Sequence, residues 1–313
     1  MLSANDLPTL RNTVTLPQLN GNARSTTTGD DVQVPAVPRS FEDERAPRHN
    51  HEPLKREYDL LASDYDLMFS DWTALIEHDA DMSSQIIERE LGKPSAIRIL
   101  VVACGIGTQA LGLAQRGYQV TGVDLSPISI ARARHEAVLR GIDLRLQIAD
   151  MRDLAKIDER EFDVAIILGN SLCVLGSYDE LLLALSEIRA KVRPDGLLIA
   201  GVRDYAPAMM ERPLYFDPPM VQFDAGKLRV VEQVWLWLDE THYTAELRIT
   251  RNGDEPLRHS VHCRAVLPGE LTNALEGAGF INSRWLERLD KNTGSDVFES
   301  GFDQLIAIAR APS

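Results

Sequence analysis

The sequence has little of three things that would each indicate a class of protein: cysteine, net positive charge and long apolar runs. Its three cysteines, Cys104, Cys173 and Cys263, are odd in number and far apart, which argues against a disulfide framework and against a zinc site. Cys104 and Cys173 lie near the ends of apolar stretches, so we interpret both as small core residues. His259 and His262 are three apart on a predicted strand and therefore on opposite faces, so no metal site is predicted.

The charge and the short apolar runs exclude further partners. A formal net charge of −14 repels the phosphates of nucleic acids and of anionic membranes. The longest apolar runs reach about a third of the roughly 20 residues that a bilayer span needs, and the N-terminal region contains no apolar signal core. We therefore expect a cytoplasmic protein with no nucleic-acid partner and no membrane partner.

Composition and periodicity divide the chain into four parts. Residues 1–52 lack a sustained apolar period, which predicts a flexible N-terminal tail and leaves a role as a lid over a ligand open. Residues 53–92 have helical periodicity and form a predicted helical lid, with Asp71 as the N-cap of its second helix. The main domain is predicted to comprise residues 93–203 and 268–313, and an inserted antiparallel β cap to comprise residues 204–267.

In the main domain short apolar strands alternate with helices, a pattern that indicates a parallel sheet covered on both faces. Ser126 and Pro127 predict a helix start, and Asn252 with Gly253 predicts a hairpin turn in the region of period two that follows the fifth strand. The predicted fold class is α/β: a doubly wound, mostly parallel seven-stranded sheet with an inserted antiparallel β meander and an N-terminal helical lid. The first five predicted strands are 98–104, 118–123, 143–149, 162–168 and 196–202, and the predicted helices are 108–116, 127–140, 178–191 and 268–278.

The stretch "RILVVACGIGTQALGLA", residues 98–114, reads as a strand, a glycine turn and a helix. Gly105 and Gly107 allow a sharp turn with close backbone approach to a ligand, and the N-terminus of the helix points to the same place. A glycine-x-glycine-x-x-alanine pattern followed by Asp124, at the end of the next strand, is typical of sites where a carboxylate accepts ribose hydroxyls. Asp150 ends the third strand and can accept from an adenine amino group. These residues predict a nucleoside site and leave a nicotinamide cofactor open.

Longer stretches of the chain resemble the class I S-adenosylmethionine-dependent methyltransferases and, within them, the glycine/sarcosine N-methyltransferase group. They include "VACGIGTQALGLAQRGYQVTGVDLSP", "ADMRDL", "FDVAIILGNSL", "RPDGLLIAGVRDY" and "LTNALEGAGF". The resemblance covers roughly residues 54–311 and implies a Rossmann-like methyltransferase fold with S-adenosyl-L-methionine as its cofactor. It also implies methyl transfer to the amine of a small amino-acid-like substrate, with a homo-oligomer left open.

The resemblance implies a cofactor site at the ends of the strands. Asp124 binds the ribose, and its alternative role is to cap the following helix. Asp150 contacts the adenine, with Met151 packed on the ring, or else Asp150 only caps a turn. For Trp72 a place in the core is the favoured alternative to cofactor contact. The further cofactor-binding residues that the resemblance implies are Ala103, Gly105, Gly107, Leu125, Leu168 and Tyr58.

The resemblance also implies a substrate site. Asn170, after the fourth strand, reaches the substrate, and Arg203, after the fifth, pairs its guanidinium fork with the amino acid's carboxylate. Their alternatives are a polar turn and a surface ion pair. Tyr65 and Tyr205 are aromatic candidates, together with Trp72, for walls around the positive sulfur.

The chain departs from the family pattern at Val101, where these enzymes usually carry an acidic residue close to the methionine end of the cofactor. This departure keeps two alternatives open. In one, S-adenosylmethionine is itself the substrate, and its α-amine attacks its own γ-carbon to give methylthioadenosine and azetidine-2-carboxylate. In the other, the protein binds the nucleoside without turnover.

Overall fold

A computed structural model describes residues 52–92, 96–215, 218–224, 227–286 and 304–313. The predicted N-terminal tail lies outside the described residues, apart from Glu52, with which the first helix begins. The helices are α1 (Glu52–Leu61), α2 (Trp72–Leu91), α3 (Thr108–Gln115), α4 (Pro127–Arg140), α5 (Tyr178–Arg189), α6 (Tyr205–Glu211) and α7 (Pro268–Gly277). The strands are β1 (Arg98–Val102), β2 (Gln119–Asp124), β3 (Arg145–Ile148), β4 (Phe162–Ile167), β5 (Val192–Arg203), β6 (Met220–Asp224), β7 (Lys227–Trp237), β8 (His242–Arg251), β9 (Leu257–Arg264), β10 (Ile281–Trp285) and β11 (Gln304–Arg310).

Seven strands form the main sheet, in the order β10-β11-β5-β4-β1-β2-β3. The strands β1 to β5 are parallel to their neighbours, whereas β11 runs antiparallel between β5 and β10. The inner strands are buried on both faces, since helices cover both sides of the sheet, and this is why they read as continuous apolar runs. The predicted doubly wound, mostly parallel seven-stranded sheet is confirmed.

The helix starts follow the expected chemistry. Asp71 caps α2, where its carboxylate accepts from the Ala74 amide at 2.9 Å, and Ser126 caps α4 ahead of Pro127. The strand β1 ends two residues before its predicted end, because Ala103 has a φ of +52° that a strand cannot contain.

The predicted lid segment, 53–92, has two parts with different surroundings. The helix α1 ends at Leu61, and a 3-10 turn, Tyr65–Met68, follows it. The helix α2 packs on α3 so closely that a Cβ on Gly112 would lie 2.6 Å from the Ile76 carbonyl oxygen. Because its apolar face joins the core beneath the main sheet, α2 belongs to the packing of that sheet.

The remaining four strands form a separate antiparallel sheet, in the order β6-β7-β8-β9. The predicted meander is confirmed, including the turn at Asn252 and Gly253, both of which have positive φ. The first element after β5 is α6, a short helix that the period-two pattern does not predict. One face of the sheet is apolar and buried, and it packs toward α1 and the carboxyl edge of the main sheet.

Candidate functional site

A cavity lies where three parts of the fold meet: the carboxyl ends of the parallel strands, α1 with its following 3-10 turn, and the inner face of the four-stranded sheet. The carboxyl edge of an open parallel sheet is where such folds bind ligands. The predicted site residues on its wall are Tyr58, Tyr65, Ala103, Gly105, Asp124, Leu125, Asp150, Met151, Asn170 and Arg203.

Asp124 ends β2, where it is buried and held by the backbone. Its Oδ2 accepts from the Gly105 amide at 2.8 Å and its Oδ1 accepts from the Ser126 amide at 2.9 Å. Burial raises the pKa of this carboxyl group to about 6, against the opposing effect of the two amide hydrogen bonds. Each oxygen keeps a lone pair, so the ionised group can still accept from a pair of ligand hydroxyls.

The turn after β1 brings the backbone to the cavity. Ala103 and Gly105 have φ values of +52° and +54°, a conformation that glycine adopts at little cost and alanine at more. Gly107 serves packing instead, since a Cβ there would lie 3.1 Å from the Leu111 side chain and 3.3 Å from that of Ala133. Gly105 therefore lines the cavity, whereas Gly107 allows α3 and α4 to approach each other.

The position of Asp150 is compatible with both of its predicted roles, contact with an adenine and capping of a turn. It lines the cavity beside Met151, and its Oδ1 also accepts from the Arg152 amide at 2.9 Å, which caps the turn. The Arg152 guanidinium holds the same carboxylate through Nε and Nη2, each at 2.9 Å, and reaches Glu180 at 3.0 Å. The carboxylate is thus held in one orientation at the edge of the cavity.

Asn170 lies at the end of β4 with a φ of +62°. Its amide group is bound to the Tyr205 hydroxyl, which lies 2.8 Å from Nδ2 and 3.1 Å from Oδ1. The Tyr205 hydroxyl lies 2.8 Å from that of Tyr243 on β8, and the Asn170 Oδ1 also accepts from the Arg203 amide at 3.3 Å. This chain of polar groups fixes the orientation of the Asn170 amide group.

Arg203 ends β5 and lies against the inner face of the antiparallel sheet. Its guanidinium carbon is 5.4 Å from the centroid of the Trp235 ring, a cation–π contact. Trp235 in turn stacks on Tyr243, with ring centroids 4.4 Å apart. Trp235 also lies on the cavity wall beside the arginine, and it packs in one cluster with Ala208 of α6.

Tyr58 and Tyr65 come to the cavity from the N-terminal segment. Burial raises the pKa of Tyr65 to about 12 and that of Tyr58 well above its ordinary value. Both phenols therefore stay protonated at neutral pH. They can donate hydrogen bonds and present aromatic surface, but they cannot accept a proton from a bound amine.

Three other predicted residues lie away from the cavity wall. Trp72 packs with Ile106 and Leu111 and donates from Nε1 to the Thr108 hydroxyl at 2.8 Å, so its indole is part of the core. Leu168 is likewise a core residue under the sheet. Tyr205 is 1% exposed and stands behind Asn170, which makes it a support for that residue and not a wall around a ligand.

The inner face of the antiparallel sheet adds residues that the sequence analysis does not predict as site residues. His259 is buried on the cavity wall, and its Nε2 lies 3.5 Å from a carboxylate oxygen of Asp64, which is itself held by Arg251 at 3.0 Å. The alternation of residues along β8 and β9 indicates in the sequence that these strands have such an inner face. Nothing in the sequence indicates that it meets the end of β5. The inner-face residues on the wall are Gln233, Trp235, Tyr243, Ala245, Leu247, His259, Val261 and Cys263.

Val101 is fully buried in the core, so no carboxylate occupies the position where related sequences carry one. A different buried carboxyl group belongs to Asp79 of α2, whose Oδ2 accepts from the Gln109 Nε2 at 2.7 Å. The same Gln109 nitrogen is 4.0 Å from the point where a Cβ of Gly169 would stand, and Gly169 lines the cavity. Burial raises the pKa of Asp79 to about 7.

Comparisons with known proteins agree with this architecture. Residues 99–196 match the family model described as a methyltransferase domain. The chain is 35% identical over 134 residues to a glycine/sarcosine N-methyltransferase of Parasynechococcus marenigrum. The aligned region covers 43% of this chain and 46% of the relative. It is 35% identical over 121 residues to the human glycine N-methyltransferase, covering 34% of this chain and 41% of the relative. The chain therefore spans less than half the length of these curated relatives.

Solved structures share the fold. One is the amino pentose methyltransferase CalS10 from Micromonospora echinaspora, solved with bound S-adenosylmethionine. It has a TM-score of 0.60 at 20% identity, and the match covers 86% of this chain and 100% of the CalS10 chain. A methyltransferase from Clostridium acetobutylicum has a TM-score of 0.58 at 17% identity and covers 82% of this chain and 99% of its own. Within the described residues no helix is long and apolar enough to span a membrane.

Proposed function

Because the chain contains a class I S-adenosylmethionine-dependent methyltransferase domain, we propose that it transfers the methyl group to the amine of a small amino-acid-like acceptor. The observation that carries the proposal is that Asp124, Asn170 and Arg203 all line one cavity. The first supplies a carboxylate suited to ribose, and the other two supply an amide and a guanidinium suited to an amino acid. The relatives named for glycine and sarcosine support the same acceptor class.

The residues that line the cavity fit the nucleoside part of the cofactor. Asp124 would hold the ribose hydroxyls, and Gly105 leaves room for close approach because it carries no Cβ. Asp150 and Met151 would hold the adenine, the first through its carboxylate oxygens and the second through its apolar surface. When bound, the cofactor supplies a methyl group already activated by its positive sulfur.

The acceptor would bind between Asn170 and Arg203. A guanidinium fork gives two parallel charge-assisted bonds to a carboxylate, and it is held here by the Trp235 ring. The chain's contribution to the reaction is mainly positioning, because holding an amine in line with the methyl group replaces a search in solution. The Tyr58 and Tyr65 rings and the inner face of the antiparallel sheet exclude water from that space.

The acceptor's amine must lose a proton before it can attack. Among the described residues that line the cavity, His259 is the one imidazole, and the Asp64 carboxylate lies beside it. We assign to this pair the task of accepting the proton, because an unprotonated imidazole nitrogen can act as a general base and the Asp64 carboxylate lies 3.5 Å from it.

Mass spectrometry of the nucleoside product tests the proposal. The protein is incubated with S-adenosylmethionine alone, and then with glycine, sarcosine and related small amines. We expect S-adenosylhomocysteine only in the presence of an amine, together with the methylated amine. A saturating screen that yields no S-adenosylhomocysteine would contradict the proposal.

One observation favours a second candidate. The buried Val101 leaves the methionine end of the cofactor without its usual acidic neighbour, so the amino-acid end of S-adenosylmethionine is free to lie in the acceptor site. Attack of its α-amine on its γ-carbon then gives azetidine-2-carboxylate and methylthioadenosine. Methylthioadenosine formed without an added amine identifies this reaction in the same experiment.

A further inference from the structure

Two cysteines from distant parts of the chain meet in the wall of the cavity. Cys173 lies in the 3-10 turn Ser171–Val174 that follows β4, and Cys263 lies in β9 of the antiparallel sheet. They are 90 residues apart in the sequence, and their Sγ atoms are 3.3 Å apart. Both thiols are free, and both residues line the cavity. The pair therefore joins the carboxyl edge of the main sheet to the inner face of the other sheet.

The surroundings of the pair make its two sulfurs chemically unequal. The hydrogen bond between the Cys173 and Cys263 sulfurs and the nearby charge of Arg203 lower the pKa of Cys173, against the effect of burial. The hydrogen bond with Cys173 and burial raise the pKa of Cys263. The Tyr205 and Tyr243 hydroxyls also contribute hydrogen bonds to this cluster. Cys173 is thus the better nucleophile, and Cys263 is in place to react with it.

The third cysteine provides an internal contrast. Cys104 is packed in the core beneath the main sheet, and burial raises its pKa well above the ordinary value. It does not line the cavity, and within the described residues it has no neighbouring thiol in hydrogen-bonding contact. Position therefore separates the pair from Cys104, and a lowered pKa separates Cys173 from both other cysteines.

We propose that Cys173 and Cys263 are an oxidative modification site, at which hydrogen peroxide that enters the cavity converts the two thiols into a disulfide. The Cys173 thiolate attacks a peroxide oxygen, so an S–O bond forms, the O–O bond breaks and one water leaves after protonation. Cys263 then attacks the Cys173 sulfur, so the S–S bond forms, the S–O bond breaks and a second water leaves. Two thiols are oxidised by two electrons, and one peroxide is reduced to two waters.

The disulfide would change the cavity, since the two sulfurs have to approach from 3.3 Å to a bonded distance of about 2 Å. It would fix β9 to the turn that carries Asn170, and it would close a loop of 90 residues. A cross-link of that span constrains the unfolded chain, so the oxidised protein should melt at a higher temperature than the reduced protein. The link is reversible by dithiothreitol.

The test uses the whole protein and does not depend on the proposed function. The reduced wild type is treated with one equivalent of hydrogen peroxide, and its intact mass and its melting temperature are recorded. A second portion is alkylated and digested so that its peptides can be identified. We expect a loss of about 2 Da, since two thiol hydrogens are removed, a cross-linked peptide containing Cys173 and Cys263, and a raised melting temperature that dithiothreitol reverses. Cys104→Ser, the matched control, should give the same cross-link.

Two further variants keep the result interpretable. Cys173→Ser and Cys263→Ser should remain folded by circular dichroism, and neither should show the mass loss or gain thermal stability on oxidation. The proposal is overturned if the wild type gains oxygen atoms on Cys173 without a cross-link, or if Cys104 reacts first. Methyl transfer is not measured in any of these experiments, so a failure of the acceptor assignment leaves their outcome unchanged.

Discussion

The two sheets that enclose the cavity use their polar groups in opposite ways. The main sheet is buried on both faces, and its contributions to the cavity come from strand ends and the turns after them, such as Gly105, Asp124 and Asn170. The four-stranded sheet contributes side chains from the middle of its strands, such as Trp235 and His259, because every second residue faces the cavity. Position along the chain therefore determines which main-sheet residues reach the cavity. Strand register determines which residues of the four-stranded sheet do so.

Three carboxyl groups on the two sides also differ in the direction of their pKa shifts. Burial raises the pKa of Asp79 to about 7 and that of Asp124 to about 6 on the main-sheet side. In the antiparallel sheet, backbone hydrogen bonds from Thr241 and His242 lower the pKa of Asp239 to about 2. The folded state therefore loses stability through Asp79 and Asp124 as the pH rises, and through Asp239 as the pH falls. Five experiments test this comparison.

The largest effect is expected from Asp79→Asn on stability. A carboxyl group whose pKa is raised on folding contributes fully when protonated, below about pH 4, and that contribution is lost as the pH rises toward 7. Between pH 5 and pH 8 the wild type should therefore lose up to about 3 kcal/mol through this group alone. The amide of the variant stays neutral over this range, so urea titrations at the two pH values should show a smaller loss. Asp81→Asn, on the exposed side of the same helix, should leave the wild-type loss intact.

Asp124→Asn should weaken S-adenosylmethionine binding by about 100-fold, since two charge-assisted hydrogen bonds lose the negative acceptor. Isothermal titration calorimetry measures the affinity directly. Asp153→Asn, at the exposed end of the neighbouring loop, serves as the control and should bind as the wild type does. An unchanged affinity in Asp124→Asn would remove the carboxylate from the cofactor site.

Arg203→Lys separates the two sides of the cavity. The charge is kept but the guanidinium fork is lost, so kcat/KM for an amino-acid acceptor should fall by about 30-fold while the affinity for S-adenosylmethionine stays the same. Steady-state kinetics and calorimetry are run on the same preparations, with Arg145→Lys on the protein surface as the control. A parallel loss of both quantities would mean that Arg203 supports the fold and not the acceptor.

The affinity for S-adenosylmethionine should also depend on pH. If the ionised Asp124 is the binding form, protonation below its pKa of about 6 should weaken binding by about tenfold between pH 7 and pH 5. Calorimetry over that range checks the slope. In Asp124→Asn the slope should disappear, and a slope that persists would assign the titration to another group.

The smallest effect is expected in the antiparallel sheet. Asp239 accepts from the Thr241 and His242 amides, each at 2.8 Å, in the turn between β7 and β8. Its pKa is lowered on folding, so its contribution is present above about pH 4 and is lost as the pH falls toward 2. Because the side chain is 58% exposed, solvent limits that contribution to below about 1 kcal/mol. Asp239→Ala should destabilise the protein at pH 7 and have no effect at pH 2, as measured by thermal melts.

The local signals in the sequence predict the main sheet and its strand ends well. The alternation of strands and helices predicts the order of elements from β1 to β5, and Asp71 and Ser126 predict their helix starts. Ala103, Gly105, Asp124 and Asp150 follow from motifs in which neighbours along the chain remain neighbours in space. Their roles in binding remain predictions.

The sequence by itself determined what depends on near neighbours in the chain: the strand–turn–helix units, the caps and the carboxylates at the strand ends. Only the tertiary structure decided which distant residues meet, because a contact between β9 and the turn after β4 depends on how two sheets pack and leaves no periodic trace. It places Trp72 in the core and Tyr205 behind Asn170. It also brings His259 to Asp64, and Cys173 to Cys263 across 90 residues of chain.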